Sequence, residues 1–245
     1  MLDLKALLDW ILDLRYFHPD EVLDGRTAIP YLRADGDPES RFVLVLGENA
    51  GGKSFFRRLV RLATSRPRAK DKDKGGPFPV HEIIHLSMEG RAGGMAFSSM
   101  VYGSENWQST GQNSAHTVLG GIKTATGRDH EVIVYWDEPD LGMSAACAAG
   151  VGVALKDFTQ EAPEHVQAVF VTTHSPALVA QLLHCEARPY YLYLGSQVGP
   201  QTIEDWVKYQ TDLVWTPIIG PEKLAEVSYG RFKDIQAILN DTKKG

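Results

Sequence analysis

The chain has 245 residues, 43% of them hydrophobic, which is enough for one large domain with a buried core. Its formal net charge of −6 argues against a protein that coats nucleic acid by bulk electrostatics, although a local basic patch could still bind it. No apolar run is long enough to span a membrane, the N-terminus is acidic where a secretory signal is basic, and Cys147 and Cys185 form no CxxC pair. We expect a soluble, cytoplasmic protein with no integral membrane segment and no disulfide framework.

Residues Leu2 to Leu14 are largely apolar with aspartates between them, which predicts a helix packed against the body of the protein or a partner. Thr27 to Arg33 is compatible with an edge strand, because Pro30 cannot donate a ladder hydrogen bond. Phe42 to Leu46 is typical of a buried strand, and Phe55 to Ala63 is compatible with a helix.

Residues 65–79 are rich in lysine, aspartate, proline and glycine without periodicity, which indicates a flexible surface loop. The lysines and arginines of this loop could contact a polyanion, but a solvated loop is the favoured interpretation. Glu82 to Met88 predicts another strand, and residues 90–111, rich in glycine, serine and methionine, suit loops around a site.

The remaining chain alternates between helical and strand patterns. Strands are expected over Glu131–Trp136, Val166–Thr172 and Tyr190–Leu194, and helices over Ser114–Thr124, Met143–Phe158, Pro176–Leu183 and Lys223–Leu239. This alternation predicts an α/β fold with a mostly parallel sheet covered on both faces. The segment after Leu183 contains Trp206 and Trp215 but no motif, and we interpret it as completing the core.

Gly47 to Ser54 reads GENAGGKS, a complete Gly-x-x-x-x-Gly-Lys-Ser phosphate loop between a predicted strand and a predicted helix. Such a turn directs backbone N–H groups and the positive end of the helix dipole at one point, where a phosphate binds. Lys53 can reach the β- and γ-phosphates, and the Ser54 hydroxyl can ligate Mg²⁺. The predicted nucleotide-binding residues are Gly47, Glu48, Asn49, Ala50, Gly51, Gly52, Lys53, Ser54 and Phe55. Their glycines let the backbone approach the phosphates closely.

The apolar strand EVIVYW ends in Asp137-Glu138-Pro139-Asp140. Asp137 is placed to hold Mg²⁺, directly or through water, and Glu138 to orient the water that attacks the γ-phosphate. An isolated Asp-Glu-Pro would indicate only a helix cap, but a phosphate loop in the same chain favours the hydrolytic role. His174 follows the next buried strand, where open α/β sheets place ligand-contacting residues, although a lone histidine there is more often structural.

The phosphate loop, the strand ending in DEPD and the strand followed by His174 occur in the order found in the ATP-binding cassette ATPase family, whose motifs they resemble. GENAGGKS resembles its Walker A motif, VIVYWDEPD its Walker B motif with a catalytic glutamate, Leu141 to Ser144 (LGMS) its D-loop, and His174 its switch histidine. The resemblance covers the chain from Phe42 to Leu183. It implies a P-loop NTPase fold in which Glu138, His174 and Lys53 are catalytic and Mg²⁺ is held by Ser54 and Asp137.

The family also has a signature of the Leu-Ser-Gly-Gly-Gln type, which closes over the ATP held by the opposite subunit. The best candidate is the STGQ segment, in which Gln108 replaces the leucine and Thr110 the first glycine. Its hydroxyl, backbone amides and helix N-terminus would donate to the γ-phosphate. The predicted signature residues are Ser109, Thr110, Gly111 and Gln112.

Two departures separate the chain from the nucleotide-binding subunits of transporters. Ser109 follows Lys53 by only 109 − 53 = 56 residues, which predicts a reduced signature-bearing lobe over residues 90–125. Only Met88-Glu89 stands where the family has its coupling glutamine loop. The chain therefore looks more like the soluble RecF, structural-maintenance-of-chromosomes and overcoming-lysogenisation-like groups, whose members commonly act in DNA repair, chromosome upkeep or antiphage defence. The whole chain, 1–245, is expected to be one domain with a helical extension at 1–25.

The resemblance implies a homodimer that sandwiches two ATP molecules and works with an effector or partner protein. Candidates to stack on adenine are Tyr16, Phe17 and Tyr31. One alternative is a slow ATP-gated switch that holds an effector, and another is a transporter subunit, which the short spacing disfavours. A kinase or nucleotide transferase that shares only the phosphate loop would leave the DEPD and TTHS segments unexplained. A preference for DNA or RNA does not follow from these residues.

Overall fold

The computed structural model describes residues 2–17, 29–65, 76–87, 110–196, 199–212, 229–230 and 232–237. Within these residues, six strands form one sheet. The strands are β1 (Tyr31–Ala34), β2 (Phe42–Gly47), β3 (Glu82–Leu86), β4 (Val132–Asp137), β5 (Val166–Thr172) and β6 (Tyr190–Leu194). The helices are α1 (Leu4–Leu12), α2 (Lys53–Ala63), α3 (Thr110–Thr126), α4 (Ala145–Glu161), α5 (Pro176–Leu182) and α6 (Ile203–Thr211).

The strand order is β1-β6-β2-β5-β4-β3, with β1 antiparallel to β6 and every other neighbouring pair parallel. The prediction of an α/β fold with a mostly parallel sheet is confirmed. The edge position expected for the strand after Pro30 is confirmed as well, since β1 ends the sheet. β5 lies between β2 and β4, so it separates the strand of the phosphate loop from the strand that ends in Asp137.

Helices cover both faces of the sheet, as the sequence predicted. On one face α1 and α2 pack with strand residues such as Val45 and Phe170, and on the other face α3, α4, α5 and α6 pack with strand residues such as Leu44 and Trp136. Every residue of β2 and β5 is buried. Strands covered on both faces can be apolar throughout, which is why these two read as continuous hydrophobic runs.

Several boundaries differ from the sequence prediction. α3 begins four residues earlier than expected, at Thr110. α6 was not predicted, although Thr202 caps it by accepting a hydrogen bond from the Asp205 N–H at 3.1 Å. Trp206 on α6 is fully buried, so the core role expected for this tryptophan is confirmed.

Other expectations fall partly outside the described residues. Trp215, most of the predicted loop at 65–79 and much of the final predicted helix lie there, although residues 232–237 are helical. The described end of the loop is attached to the body, because Phe78 donates its N–H to the Ala63 carbonyl at 3.2 Å and packs edge-on against Trp10. No helix in the described ranges combines the length and apolar character needed to cross a membrane.

Candidate functional site

The predicted site residues meet at one edge of the sheet. β2, β5 and β4 are neighbouring parallel strands, so the segments that follow them leave the sheet on the same side. The register places Thr172 of β5 opposite both Val45 of β2 and Asp137 of β4. The phosphate loop, the Asp137-Glu138 pair and His174 therefore lie at the same edge of the sheet. The order of the three strands along the chain does not by itself show that these strands are neighbours.

The phosphate loop turns sharply between β2 and α2. Ala50 and Gly52 have left-handed backbone angles, with φ of 61° and 103°, and the Gly51 N–H donates to the Glu48 carbonyl at 3.0 Å. Glycine is also required here by packing, because a Cβ on Gly47 would lie 2.1 Å from the Leu194 carbonyl oxygen. The close approach of β6 is thus a second reason for glycine in the loop, besides room for a phosphate.

Lys53 begins α2 and folds back over the loop. Its Nζ donates to the Gly47 carbonyl at 3.2 Å and to the Glu48 carbonyl at 2.9 Å. Burial lowers the pKa of Lys53 to about 8, opposed by the negative charges of Glu138, Asp137 and Glu48. The amine is therefore held inside the loop and within electrostatic reach of both carboxylates that follow β4.

The Asp137 carboxylate is held from two sides. One oxygen accepts a hydrogen bond from Arg57 Nη1 at 2.9 Å, and the other accepts from the Thr172 hydroxyl. The Arg57 guanidinium also lies 2.6 Å from His85 Nε2, and its side chain is largely buried. We did not predict Arg57 as a site residue, although its position four residues after Lys53 places it on the same face of α2.

The residues present fit Mg²⁺ bound together with phosphate. Magnesium prefers oxygen ligands and takes one or two protein side chains, with phosphates and waters completing its shell. Ser54, exposed at the start of α2, and Asp137 provide a hydroxyl and a carboxylate. No cluster of three or more His, Cys, Asp or Glu side chains suited to a metal occurs in the described ranges, so the phosphates would have to contribute. A metal bound directly to Asp137 Oδ2 would displace Arg57, whereas a bridging water would leave the ion pair in place.

Glu138 and His174 lie side by side. Glu138 adopts a left-handed φ of 52°, uncommon outside glycine, and its N–H donates to the Thr172 carbonyl at 2.9 Å. This turn directs the carboxylate towards His174, with 3.6 Å between Glu138 Oε1 and His174 Nε2. That distance is too long for a hydrogen bond, and in the described part of the chain the buried Nε2 atom has no partner.

Burial shifts the pKa values of these two groups in opposite directions, because it disfavours the charged form of each. Burial, followed by the neighbouring Asp137 charge, raises the pKa of Glu138. Burial, followed by the Lys53 charge, lowers the pKa of His174 to about 4. The imidazole is consequently neutral at pH 7, so the close contact with Glu138 is not an ion pair. A neutral imidazole without a partner next to a carboxylate can hold a water molecule or a phosphate oxygen between them.

The segments after β4 and β5 are tied together by Asp140, which sequence reasoning passed over. Asp140 Oδ1 accepts a hydrogen bond from Thr173 Oγ1 at 2.7 Å. The same hydroxyl accepts from the Ser175 N–H at 2.9 Å. This chain of hydrogen bonds fixes the segments that carry Glu138 and His174 relative to each other, because His174 lies between Thr173 and Ser175 and Glu138 lies two residues before Asp140. The signal was Asp140 itself, the third acidic residue of the DEPD segment.

The signature candidate lies at the N-terminus of α3. Ser109 is outside the described residues, and Thr110, Gly111 and Gln112 form the first turn of the helix. This turn touches the predicted D-loop, since a Cβ on Gly111 would lie 2.7 Å from the Gly142 carbonyl oxygen. The Ser114 hydroxyl donates to the Leu141 carbonyl at 2.8 Å. The two candidate dimer motifs are therefore in contact within one chain.

The described part of the segment 90–125 is α3 itself, which packs against the sheet through residues such as Val118 and Ala125. Among the adenine-stacking candidates, Phe17 has no free ring face, because it is 1% exposed and packs edge-on against Tyr31. Tyr16 contacts Phe55 edge-on, with 5.0 Å between ring centres. Met88 and Glu89, at the position of the glutamine loop, lie outside the described residues.

Comparison with known proteins finds neither a family model nor a curated protein that matches the chain.

Proposed function

We propose that the chain is an ATP-binding and ATP-hydrolysing ATPase of the ATP-binding cassette type. The observation that carries this proposal is the convergence of the GENAGGKS loop, the Asp137-Glu138 pair and His174 at one edge of a parallel sheet. A glycine-rich turn that carried Lys-Ser by chance would not need two carboxylates and a neutral histidine beside it. The alternative of a kinase that shares only the loop does not explain why Glu138 and His174 are in contact.

Binding of the triphosphate would use the loop amides, the N-terminus of α2 and Lys53. The Lys53 ammonium now donates to the Gly47 and Glu48 carbonyls, and a phosphate oxygen would replace one or both of these acceptors. Ser54 and Asp137 would hold Mg²⁺, which when bound neutralises charge on the β- and γ-phosphates.

Hydrolysis requires a water molecule that is oriented towards the γ-phosphorus. In the proposed reaction Glu138 accepts a hydrogen bond from this water, whose oxygen forms the new bond to phosphorus while the bond to the leaving ADP oxygen breaks. The raised pKa of Glu138 makes its carboxylate a better proton acceptor. Neutral His174, with its proton on Nε2, would donate to a γ-phosphate oxygen and so stabilise the transition state.

We further propose that two copies close around two ATP molecules, with residues 110–112 of each copy facing the nucleotide of the other. Ser109 belongs to the same proposed segment. The position of these residues in the first turn of α3 supports this role, because the backbone N–H groups of a first turn have no partner within the helix and can donate to a phosphate. In this proposal the dimer is the motor or switch subunit of a cytoplasmic complex in DNA maintenance or antiphage defence, with an effector or partner protein.

The test is steady-state ATP hydrolysis by the wild type, by Glu138→Gln and by the matched control Glu161→Gln, which alters an exposed glutamate at the end of α4. We expect Glu138→Gln to lower turnover by about 10²–10⁴-fold while retaining ATP binding, and Glu161→Gln to behave as the wild type. Sizing in ATP should show a dimer that persists in Glu138→Gln. Wild-type turnover in Glu138→Gln would refute the catalytic assignment, and a persistent monomer would refute the sandwich.

Repeating the assay with DNA tests the proposed role in DNA maintenance, because DNA-stimulated turnover is expected of such a subunit. ATP binding with negligible turnover under every condition would favour the slow regulatory switch. The next experiment would then be to identify the effector protein that copurifies with the chain.

A further inference from the structure

A cavity of about 500 Å³ lies between α2 and β3. Arg57, at one end, contacts His85 near the carboxyl end of β3, and the other end of α2 lies near His81, whose N–H donates to the Thr64 carbonyl at 3.1 Å. The helix and the strand are therefore antiparallel, and the cavity runs along the groove between them. Its lining residues include Arg57, Arg58, Arg61, His81, Glu82 and His85.

Among the described residues that line the cavity, the negative charge is already neutralised. Glu82 is the acidic residue of this lining, and its two oxygens lie 2.8 Å from Arg128 Nη2 and 2.6 Å from His130 Nε2. Arg57 is likewise engaged, by Asp137 and His85. A ligand in the cavity would therefore meet a surplus of positive charge.

The charge available to such a ligand belongs to Arg58 and Arg61. Both side chains are exposed, and within the described ranges neither forms an ion pair or a hydrogen bond. They are three residues apart on one helix, so their guanidinium groups are neighbours. Two like charges at this spacing repel each other, and an anion between them removes the repulsion.

We propose that this cavity binds a phosphate-bearing anion through Arg58 and Arg61, at a site separate from the nucleotide site. Guanidinium groups offer paired donors whose spacing matches phosphate oxygens, which makes arginine the preferred residue for recognising phosphate. The volume of about 500 Å³ exceeds the needs of a single phosphate ion and is within the range of small-molecule sites. The source of the phosphate is either a small phosphorylated compound or the backbone of a nucleic acid strand.

The site goes beyond the proposed ATPase and does not depend on it, so binding rather than turnover is the readout. The probes are inorganic pyrophosphate, measured by calorimetry, and a labelled single-stranded oligonucleotide, measured by fluorescence anisotropy, both without Mg²⁺. All comparisons use the full chain in a Lys53→Ala background, which weakens binding of the probes at the phosphate loop. The test variant is Arg58→Gln/Arg61→Gln, and the matched control is Lys123→Gln/Lys208→Gln, which removes two exposed charges elsewhere.

We expect the arginine variant to bind at least one probe about tenfold or more weakly, and the lysine variant to match its parent. For the oligonucleotide, loss of two phosphate contacts should also reduce the slope of log K against log salt by about 1.4. Because both arginines are exposed, the melting temperatures of the variants should agree, which separates lost binding from lost folding.

The two probes distinguish the sources of the phosphate. Binding of pyrophosphate without the oligonucleotide assigns the cavity to a small phosphorylated compound, and binding of the oligonucleotide without pyrophosphate assigns it to a nucleic acid backbone. The proposal is overturned if neither probe binds, or if the arginine variant binds both as tightly as its parent.

Discussion

We predict that Lys53 makes the proposed nucleotide binding sensitive to pH above about 8. Burial lowers the pKa of the amine to about 8, despite the nearby carboxylates of Glu138, Asp137 and Glu48. In the free protein the amine is therefore mostly protonated at pH 7 and mostly neutral at pH 9. A bound triphosphate favours the protonated form, so binding above pH 8 must take up a proton, and the affinity falls as the pH rises.

The magnitude follows from the pKa of about 8. The protonated fraction of free Lys53 falls from roughly 0.9 at pH 7 to roughly 0.1 at pH 9, so the affinity should fall about tenfold, which is about 1.4 kcal/mol. Because Lys53 must be charged in the complex, the affinity for the triphosphate is at its full value below the pKa of Lys53 and is lost as the pH rises above it. A terminal phosphate loses its last proton near pH 6, so its titration is complete before this window.

The assay is fluorescence anisotropy of a labelled ATP analogue in EDTA, at constant ionic strength, from pH 7 to about 9.5. The control is Lys53→Arg, whose guanidinium stays charged throughout, so its affinity should not vary with pH. Circular dichroism at each pH checks that both proteins remain folded. A flat wild-type profile, or an equal decline in Lys53→Arg, would refute the argument.

Predictions for four further variants concern stability. Gly47→Ala would place a Cβ 2.1 Å from the Leu194 carbonyl oxygen at a φ of +139°, so urea unfolding should show a loss of about 2–4 kcal/mol. Gly150→Ala, in α4 with no atom within 4 Å of the new Cβ, should instead gain about 0.5–1 kcal/mol, and equal effects of the two variants would contradict the packing described. Gly121→Ala would meet Leu86 Cδ1 at 2.2 Å and should cost about 1–3 kcal/mol; a neutral effect would show that the Leu86 side chain moves aside or that α3 lies farther from the sheet. His174 has its pKa lowered to about 4 by burial, so the unfolded chain takes up a proton first as the pH falls, and the wild type should lose stability relative to His174→Gln between pH 6.5 and 4. Parallel pH profiles for these two proteins would be inconsistent with a buried neutral imidazole.

The ion pair between Arg57 and Asp137 bears on how the proposed site would load its metal. In the structure Arg57 occupies one oxygen of the carboxylate that the sequence assigns to Mg²⁺. Direct coordination by Mg²⁺ would displace Arg57 from Asp137 and leave a largely buried guanidinium in need of another acceptor, which is costly unless a phosphate oxygen or a water takes that place. Arg57 also lines the basic cavity, so α2 connects this carboxylate to the proposed anion site.

The contact between the signature candidate and the D-loop candidate couples, within one chain, two segments of the proposed dimer interface. Both segments would face the second copy, and the packing of Gly111 against Gly142 means that one cannot move far without the other. A bulky residue at Gly111 would disturb both at once.

Local sequence pattern was sufficient for most elements of the fold. β5 and β6 have the predicted boundaries, and the apolar run at Phe42–Leu46 became β2 because a strand buried on both faces needs no polar alternation. The early start of α3 at Thr110 could not be read locally, since Gly111 is a poor helix former. Contacts with the segment Leu141–Gly142 stabilise that first turn, and they join residues far apart in the chain.

The sequence by itself determined which chemical groups are present: a phosphate loop, an Asp-Glu pair at a strand end and a histidine at the next one. Their types and spacing are local properties, which periodicity and motif order can reveal. Only the tertiary structure decided that β5 separates β2 from β4, that Arg57 holds Asp137, and that His174 lies beside Glu138. Strand order and long-range contacts depend on how the whole chain packs, and burial, which only the packed chain defines, sets the pKa of Lys53 and of His174.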